Sequence, residues 1–456
     1  MGRSTDPRYL AVDTLNKLES SGEFLKDLLD AQLQKSSLSR LDQGLFTELV
    51  MGTVRMKRSL DYVLAQFSKR PLAKIHPALL NVLRIGVYQL LYLDRIPPSA
   101  AVNEAVKLAR AFGHEGTAKF ANGVLRQVLR GRDSLVYPSL EEHPAEHLGL
   151  KYSYPDWIVE HWLDRWGVEE TAALCRALNE PPQLQIRVNT LKASPAEVRA
   201  HLEDRGASVE PGRYLPEIFT VEPAHLAVAD PWLDQGMFYI QDESSALAAH
   251  ALQVEPGQTV YDLCSAPGGK TTHLAQLMQD QGRILAFDVS PRRLALVEEN
   301  ARRLGISSIA TAVGDATQDL QLPPAPRVLV DAPCSGLGTM GHRPDIRWRK
   351  RAEEIKDLVE IQKGILHQAA GYVDGQGLLL YTTCTLTSWE NEEVAHWFLA
   401  EHPEFRGEPF PEGFPGCGPF PEGFPGCGPE PWLKTLLPHR HGGDGFFLAL
   451  FRKVKF

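Results

Sequence analysis

Two cysteines stand where a chain most readily does chemistry. One sits in the run Asp331-Ala332-Pro333-Cys334-Ser335-Gly336 and the other in Tyr381-Thr382-Thr383-Cys384-Thr385, and each run closes an apolar stretch that reads as a strand. In a parallel sheet, neighbouring strand ends deliver their residues to one ligand-binding edge. A lone buried cysteine is ordinarily an inert small hydrophobe, but two thiols beside the carboxyl of Asp331 form a set of reagents. Methylation of cytosine asks for such a set. C5 of that ring is a poor nucleophile, and a thiolate added at C6 makes it an enamine that takes up a methyl group. A carboxyl at N3, here Asp331, assists the addition, and a base must then remove the C5 proton so that the thiolate leaves.

The methyl donor needs its own site. Asp262-Leu263-Cys264-Ser265-Ala266-Pro267-Gly268-Gly269-Lys270-Thr271-Thr272 joins a strand to a helix, and glycines at such a turn let a ligand approach the amides of the helix N-terminus. Gly-Lys-Thr suggests a phosphate loop, yet that loop requires glycine where Cys264 stands, and the G-x-G-x-x-G spacing of dinucleotide sites is absent. The next strand ends at Asp288, nineteen residues past Gly269, where an acid accepts ribose hydroxyls. The third is followed by Gly314-Asp315-Ala316, an acid placed for an adenine amino group. Together these describe a site for S-adenosylmethionine, an adenosine without pyrophosphate.

Elements of three kinds must carry these groups. Residues 7–130 read as helices: Val102, Ala105, Val106 and Ala109 share one face, Ala121, Leu125 and Val128 another, and Val82 to Leu93 is apolar nearly all round. Trp157, Trp162 and Trp166 follow on a further helix and read as core. From Gln183 a small α+β unit combines strands at Gln185 to Asn189 and Ile218 to Val221 with a helix from Ser194 to Arg205. Beyond Thr259, strands at Thr259 to Leu263, Arg283 to Val289, Ile309 to Val313, Val328 to Asp331 and Leu378 to Thr382 alternate with helices, which predicts a parallel sheet covered on both faces. The expected domains are residues 1–135, 136–240 and 241–456. FPEGFPGCGP occurs twice in tandem from Phe410 to Pro429, a Gly- and Pro-rich loop that makes Cys417 and Cys427 poor catalytic candidates.

Composition narrows the classes. Hydrophobic residues make up 43% and charged residues 23% of the 456, which is globular composition rather than disordered or fibrous, and no apolar run is long enough to span a membrane. MGRSTDPRYL lacks the apolar run of a secretory signal, so a cytoplasmic protein is expected. Six cysteines without a Cys-x-x-Cys predict neither a disulfide framework nor a metal site. The net charge of −9 conceals a basic start, with 19 Lys+Arg against 12 Asp+Glu in residues 1–130, as a module contacting phosphates would have. Five cations around one tryptophan in Arg343-Pro344-Asp345-Ile346-Arg347-Trp348-Arg349-Lys350-Arg351 suggest RNA contacts at Arg343, Arg347 and Arg349. Arg187 and Asn189 are weaker candidates of the same kind.

The run from Asp262 to Thr271, the DAPCSG at Asp331 to Gly336 and the TTCT around Cys384 resemble the RNA cytosine-C5 methyltransferases of the Nol/Nop/Sun family. The helical start is similar to the NusB-like module of that family's bacterial small-subunit rRNA branch. The resemblance implies an all-α NusB-like domain, a small α+β RNA-binding unit and a C-terminal α/β Rossmann-like methyltransferase domain. It implies methyl transfer from S-adenosylmethionine to a cytosine of 16S rRNA, free or in a partly assembled subunit, by a monomer without metal. Cys384 would be the nucleophile and Cys334 would aid product release, with Asp331 protonating N3 beside Lys270. Cofactor contacts would fall on Cys264, Ser265, Ala266, Pro267, Gly268, Gly269, Lys270, Asp288, Arg293, Asp315 and Asp331. The element Gln241-Asp242-Glu243-Ser244-Ser245 would be a structural lead-in. Two other readings compete: an RNA-binding assembly factor without catalysis, against which the intact Cys384, Cys334 and Asp331 argue, and a DNA cytosine methyltransferase, in which the Pro-Cys thiol attacks.

Overall fold

The computed structural model describes residues 5–412, 414 and 430–454; Cys417, Cys427 and most of the repeated decapeptide lie outside them. The chain divides into two compact units, Met1–Asn179 with Arg343–Arg349, and Glu180–His342 with Lys350–Phe456.

The first unit is helical. Asp6 caps the helix Pro7–Ser21 by accepting the N–H of Arg8 at 2.9 Å. The helix Pro77–Tyr92 starts on a proline and is buried almost throughout from Leu79 to Leu90, as its all-round apolar pattern predicts. Its one cation, Arg84, is offset by Asp61 at 2.7 Å and Glu19 at 2.8 Å. Around it pack Arg40–Arg55, Lys57–Phe67, Pro98–Ala111 and Glu115–Gly131.

Two further helices, Pro144–Tyr152 and Asp156–Ala177, belong to this unit, although the sequence reading set residues 136–177 with the α+β unit. Packing decides the matter. Tyr154, Trp162 and Trp166 are buried, and Arg58 donates to the Tyr154 carbonyl at 2.5 Å and to Asp156 at 2.7 Å. Gly167, at φ +75°, breaks the long helix into two. Arg343–Arg349 completes the unit: Trp348 Nε1 donates to the Val54 carbonyl at 2.7 Å, and Asp345 accepts the N–H of Leu25 at 3.3 Å.

The second unit holds two sheets. β1 (Gln185–Val188), β2 (Ser208–Pro211), β3 (Ile218–Glu222) and β4 (Phe238–Ile240) form an antiparallel sheet in the order β2-β3-β1-β4. The larger sheet comprises β5 (Thr259–Asp262), β6 (Arg283–Asp288), β7 (Ile309–Val313), β8 (Ala325–Asp331), β9 (Val373–Thr383), β10 (Phe405–Gly407), β11 (Leu433–Leu436) and β12 (Phe446–Lys453). It runs β10-β12-β9-β8-β5-β6-β7, with β11 also pairing with β12.

From β9 to β7 the larger sheet is parallel, as expected. The sheet as a whole is mixed, because β12 runs antiparallel to β9 and pairs antiparallel with β10 and β11 on its other side. Alternate residues supply two cores. Val260, Ile284, Leu329, Leu380 and Leu448 face the helices Glu243–Ala251 and Gly269–Leu277, while Tyr261, Val330, Leu379, Tyr381 and Phe447 face Ala352–Tyr372 and Glu392–Glu401. Among the described residues no helix is long and apolar enough to cross a membrane.

Candidate active site

β5 ends on Asp262, and the chain then turns through Cys264 to Gly268 before the helix Gly269–Leu277 begins. The turn needs its glycine. Gly268 sits at φ +102°, and a Cβ there would lie 3.1 Å from the Cα of Val297. Thr271 hydroxyl donates to Asp262 at 2.7 Å. Burial pushes the Asp262 carboxyl up to about 7, against the pull of that hydrogen bond and with the charge of Asp331 adding to the rise. Burial also raises the Cys264 thiol well above its usual range, with Asp262 and Asp331 adding to the effect, so Cys264 lines the turn as a neutral thiol.

A cavity opens over this turn, walled by Cys264, Ser265, Ala266, Pro267, Gly269 and Lys270, with Asp262 and Asp331 on its floor and Tyr239 and Gln241 beside them. Lys270 Nζ donates to Asp331 Oδ2 at 2.7 Å, and Thr382 hydroxyl donates to Asp331 Oδ1 at 2.9 Å. Burial drags the Lys270 ammonium down, but the charge and hydrogen bond of Asp331 outweigh it and leave the pKa above its ordinary value. Lys270 is therefore held as an ammonium against Asp331. Asp262 Oδ1 and Gln241 Nε2, both buried, have no hydrogen-bond partner among the described residues.

At the end of β6, Asp288 is 5% exposed; it accepts the N–H of Ser290 at 2.9 Å and faces Arg293 at 3.4 Å. Arg293 also donates to the Ala266 carbonyl at 2.9 Å, which ties the turn after β5 to that carboxylate. Asp315, after β7, is exposed and accepts the N–H and hydroxyl of Thr317 at 2.9 and 2.7 Å.

β8 and β9 bring the two remaining thiols together. Cys334 and Cys384 lie with their sulfurs 3.4 Å apart. The hydrogen bond to Cys384, followed by burial, holds the Cys334 thiol well above its usual range. Gly338 packs against the Cys384 turn, its N–H donating to the Cys384 carbonyl at 2.9 Å.

Most of the expected RNA contacts are corrected by burial. Arg187 is fully buried; it donates to Gln241, to the Gly269 carbonyl at 2.7 Å and to Thr272 at 2.9 Å. Burial lowers its pKa to about 9. Asn189, also fully buried, donates to the carbonyls of Gly236 and Leu304, each at 2.8 Å. These two residues fasten the small sheet to the larger one, which leaves no face for a phosphate. Arg347 is likewise interior, donating to the carbonyls of Arg55 and Ser153 and to Asn179 while lying 4.0 Å over the Tyr154 ring. Arg349 spends its guanidinium on the carbonyls of Gly22 and Glu23. Among the candidate RNA contacts Arg187, Asn189, Arg343, Arg347 and Arg349, Arg343 alone is exposed.

Within Gln241 to Ser245, Glu243 has a structural part, accepting the N–H groups of Arg213, Tyr214 and Leu215, while Gln241 lines the cavity. Sequence reasoning passed over the cavity wall supplied by Tyr239 and Gln241, and also Glu390. The pair Glu390-Asn391 just beyond Cys384 was the available signal, polar residues ahead of a helix that are fully buried in the structure.

Residues 249–452 match the family model described as 16S rRNA methyltransferase RsmB/F, residues 5–130 match the NusB family, and residues 154–227 match a ferredoxin-like domain of RsmF/B-like methyltransferases. The chain is 38% identical over 455 residues to the Probable ribosomal RNA small subunit methyltransferase B of Synechocystis sp., covering 98% of this chain and 99% of that one. The crystal structure of PH0851 is 30% identical and covers 99% of both chains at a TM-score of 0.79. The crystal structure of NSun6 from Pyrococcus horikoshii with SFG is 25% identical, covering 67% of this chain and all of that one at a TM-score of 0.58.

Proposed function

The chain belongs to the 16S rRNA methyltransferase RsmB/F family and is an rRNA methyltransferase, and from that premise we propose that it moves a methyl group from S-adenosylmethionine to C5 of a cytosine in small-subunit rRNA through a covalent bond between Cys384 and C6. One observation carries the reading: two sulfurs 3.4 Å apart just past the ends of β8 and β9, with Asp331 at the end of β8 paired to Lys270 from the helix Gly269–Leu277. A carboxylate and an ammonium are the reagents that ring activation needs, and one thiol accounts for only half of the reaction.

The residues present fit the cofactor. The unpartnered Asp262 Oδ1 and Gln241 Nε2 face the cavity as an acceptor and a donor, suited to the ammonium and carboxylate of an amino acid, and Asp288 offers a buried carboxylate to a ribose. When bound, S-adenosylmethionine supplies an electrophilic methyl group. The rest falls to the chain. Cys384 adds to C6, and the proton needed at N3 is held between Lys270 and Asp331. Transfer at C5 follows, after which loss of the C5 proton lets Cys384 leave. Cys334, whose sulfur lies 3.4 Å from that of Cys384, is the group of this chain placed to assist that last step. The target base must leave its stack to reach Cys384.

Tritiated methyl transfer to rRNA tests the reaction, and bisulfite sequencing of that rRNA tests the position on the ring. The Cys384→Ala variant should lose transfer. The Cys334→Ala variant should accumulate a protein–RNA species on a denaturing gel that vanishes in the double variant. An adduct formed by Cys384→Ala and lost in Cys334→Ala would reverse the two roles and favour the DNA-type arrangement.

A further inference from the structure

Attack needs Cys384 alone, but release needs both thiols on one base, and the thiols come from different strands. A single side chain joins their loops. Glu390 is fully buried, between β9 and the helix Glu392–Glu401. Its Oε1 accepts the N–H of Ser335 at 2.7 Å and Gln362 Nε2 at 3.2 Å. Its Oε2 accepts the hydroxyls of Ser335 at 2.5 Å and Thr387 at 2.8 Å. Ser335, which follows Cys334, shares a further hydrogen bond at 2.6 Å with Thr385, which follows Cys384. Gln362 also donates to the Pro333 carbonyl at 2.9 Å, and Tyr381 hydroxyl fixes the Glu390 carbonyl at 2.6 Å.

Four donors converge on this carboxylate, and all are neutral. No ion pair to Glu390 is formed among the described residues, so its charge is offset by hydrogen bonds alone. Burying a carboxylate this way is expensive, and helix capping does not call for it, because the N-cap of Glu392–Glu401 is Asn391. What the carboxylate gains is that both of its oxygens accept twice, a pattern that an amide cannot reproduce because its NH2 group meets donors.

We propose that Glu390 is a positioning residue for this reaction: it holds the Cys334 and Cys384 loops in register, and its loss slows release of the methylated base more than attack on it. The proposal rests on the thiol roles given above. Misplacement by about 1 Å costs on the order of 100-fold in rate, and the step that uses two loops is the more exposed to it.

The test uses the full-length Glu390→Gln and Ser335→Ala variants with rRNA and S-adenosylmethionine, with Cys334→Ala in parallel. The expected result is a fall in kcat of about 10- to 100-fold at unchanged KM for S-adenosylmethionine, together with a covalent protein–RNA species like that of Cys334→Ala. Ser335→Ala keeps the backbone N–H bond and cuts only the hydroxyl link, so it answers the question if Glu390→Gln fails to fold. Wild-type kcat in the folded variants overturns the proposal. So does an equal loss of kcat and cofactor affinity with a lowered Tm, which marks general loosening. If Cys334→Ala itself forms no adduct, the thiol roles fail, and the kcat change at fixed KM still decides whether Glu390 positions the site.

Discussion

Asp262→Asn should make the protein more stable, and increasingly so as pH rises. Asp262 is 1% exposed, and its carboxyl is held at about 7 against an ordinary value of 3.8, because burial disfavours the charge more than the Thr271 hydrogen bond supports it. Between those two values the folded chain keeps a proton that the unfolded chain has released, so stability falls with rising pH across that window. The full difference of about 3 pKa units corresponds to a ceiling of roughly 4 kcal/mol above pH 7, at about 1.4 kcal/mol per unit. Asparagine has the same shape, keeps an oxygen for the Thr271 hydroxyl and carries no charge to bury. Urea midpoints of both proteins at pH 5 and pH 8, converted with a common m-value, should therefore diverge in favour of the variant by about 2.5 kcal/mol more at the higher pH. A gap that is the same at both values would refute the reasoning, since Asp262 would then release its proton at the same pH in the folded and unfolded chains. The same variant should bind S-adenosylmethionine less well by calorimetry, because the acceptor facing the cavity is the one removed.

Asp288→Ala should weaken S-adenosylmethionine binding by about 1.5–3 kcal/mol, the usual worth of hydrogen bonds to a charged group, with RNA affinity unchanged; calorimetry and filter binding read the two. Arg187→Met should lower stability by about 3 kcal/mol or more in urea, because three buried acceptors lose their donor, yet leave the salt dependence of RNA binding as it was, whereas a phosphate contact would make that slope shallower. Gly338→Ala should cost about 1–3 kcal/mol through overpacking and depress methyl transfer, since its Cβ would fall 2.0 Å from the Gly445 carbonyl oxygen and 2.9 Å from that of Cys384; wild-type activity in this variant would mean that the Cys384 turn yields freely.

What the sequence determined by itself was local. The all-round apolar helix at Val82 to Leu93, the parallel strands and the turn at Gly268 follow from periodicity and from backbone conformations that few residues tolerate, and both are written into neighbouring positions. The thiol pair was legible for the same reason, since each cysteine is tied to a strand end and a parallel sheet gathers strand ends on one edge. Tertiary structure decided the rest, because it depends on partners far along the chain. The apolar stretch Phe446–Lys453 is compatible with either strand direction, and only its register against Val373–Thr383 made it antiparallel. Arg187 and Arg347 carry the composition of RNA contacts, but the acceptors that bury them lie 54 to 85 residues away for Arg187 and 168 to 292 for Arg347. Charge is a property of the residue and exposure a property of the fold, so a cation in the sequence cannot announce whether it will meet a phosphate or a carbonyl. Glu390 makes the same point from the other side: its role exists only because Ser335, 55 residues before it, folds back onto its carboxylate.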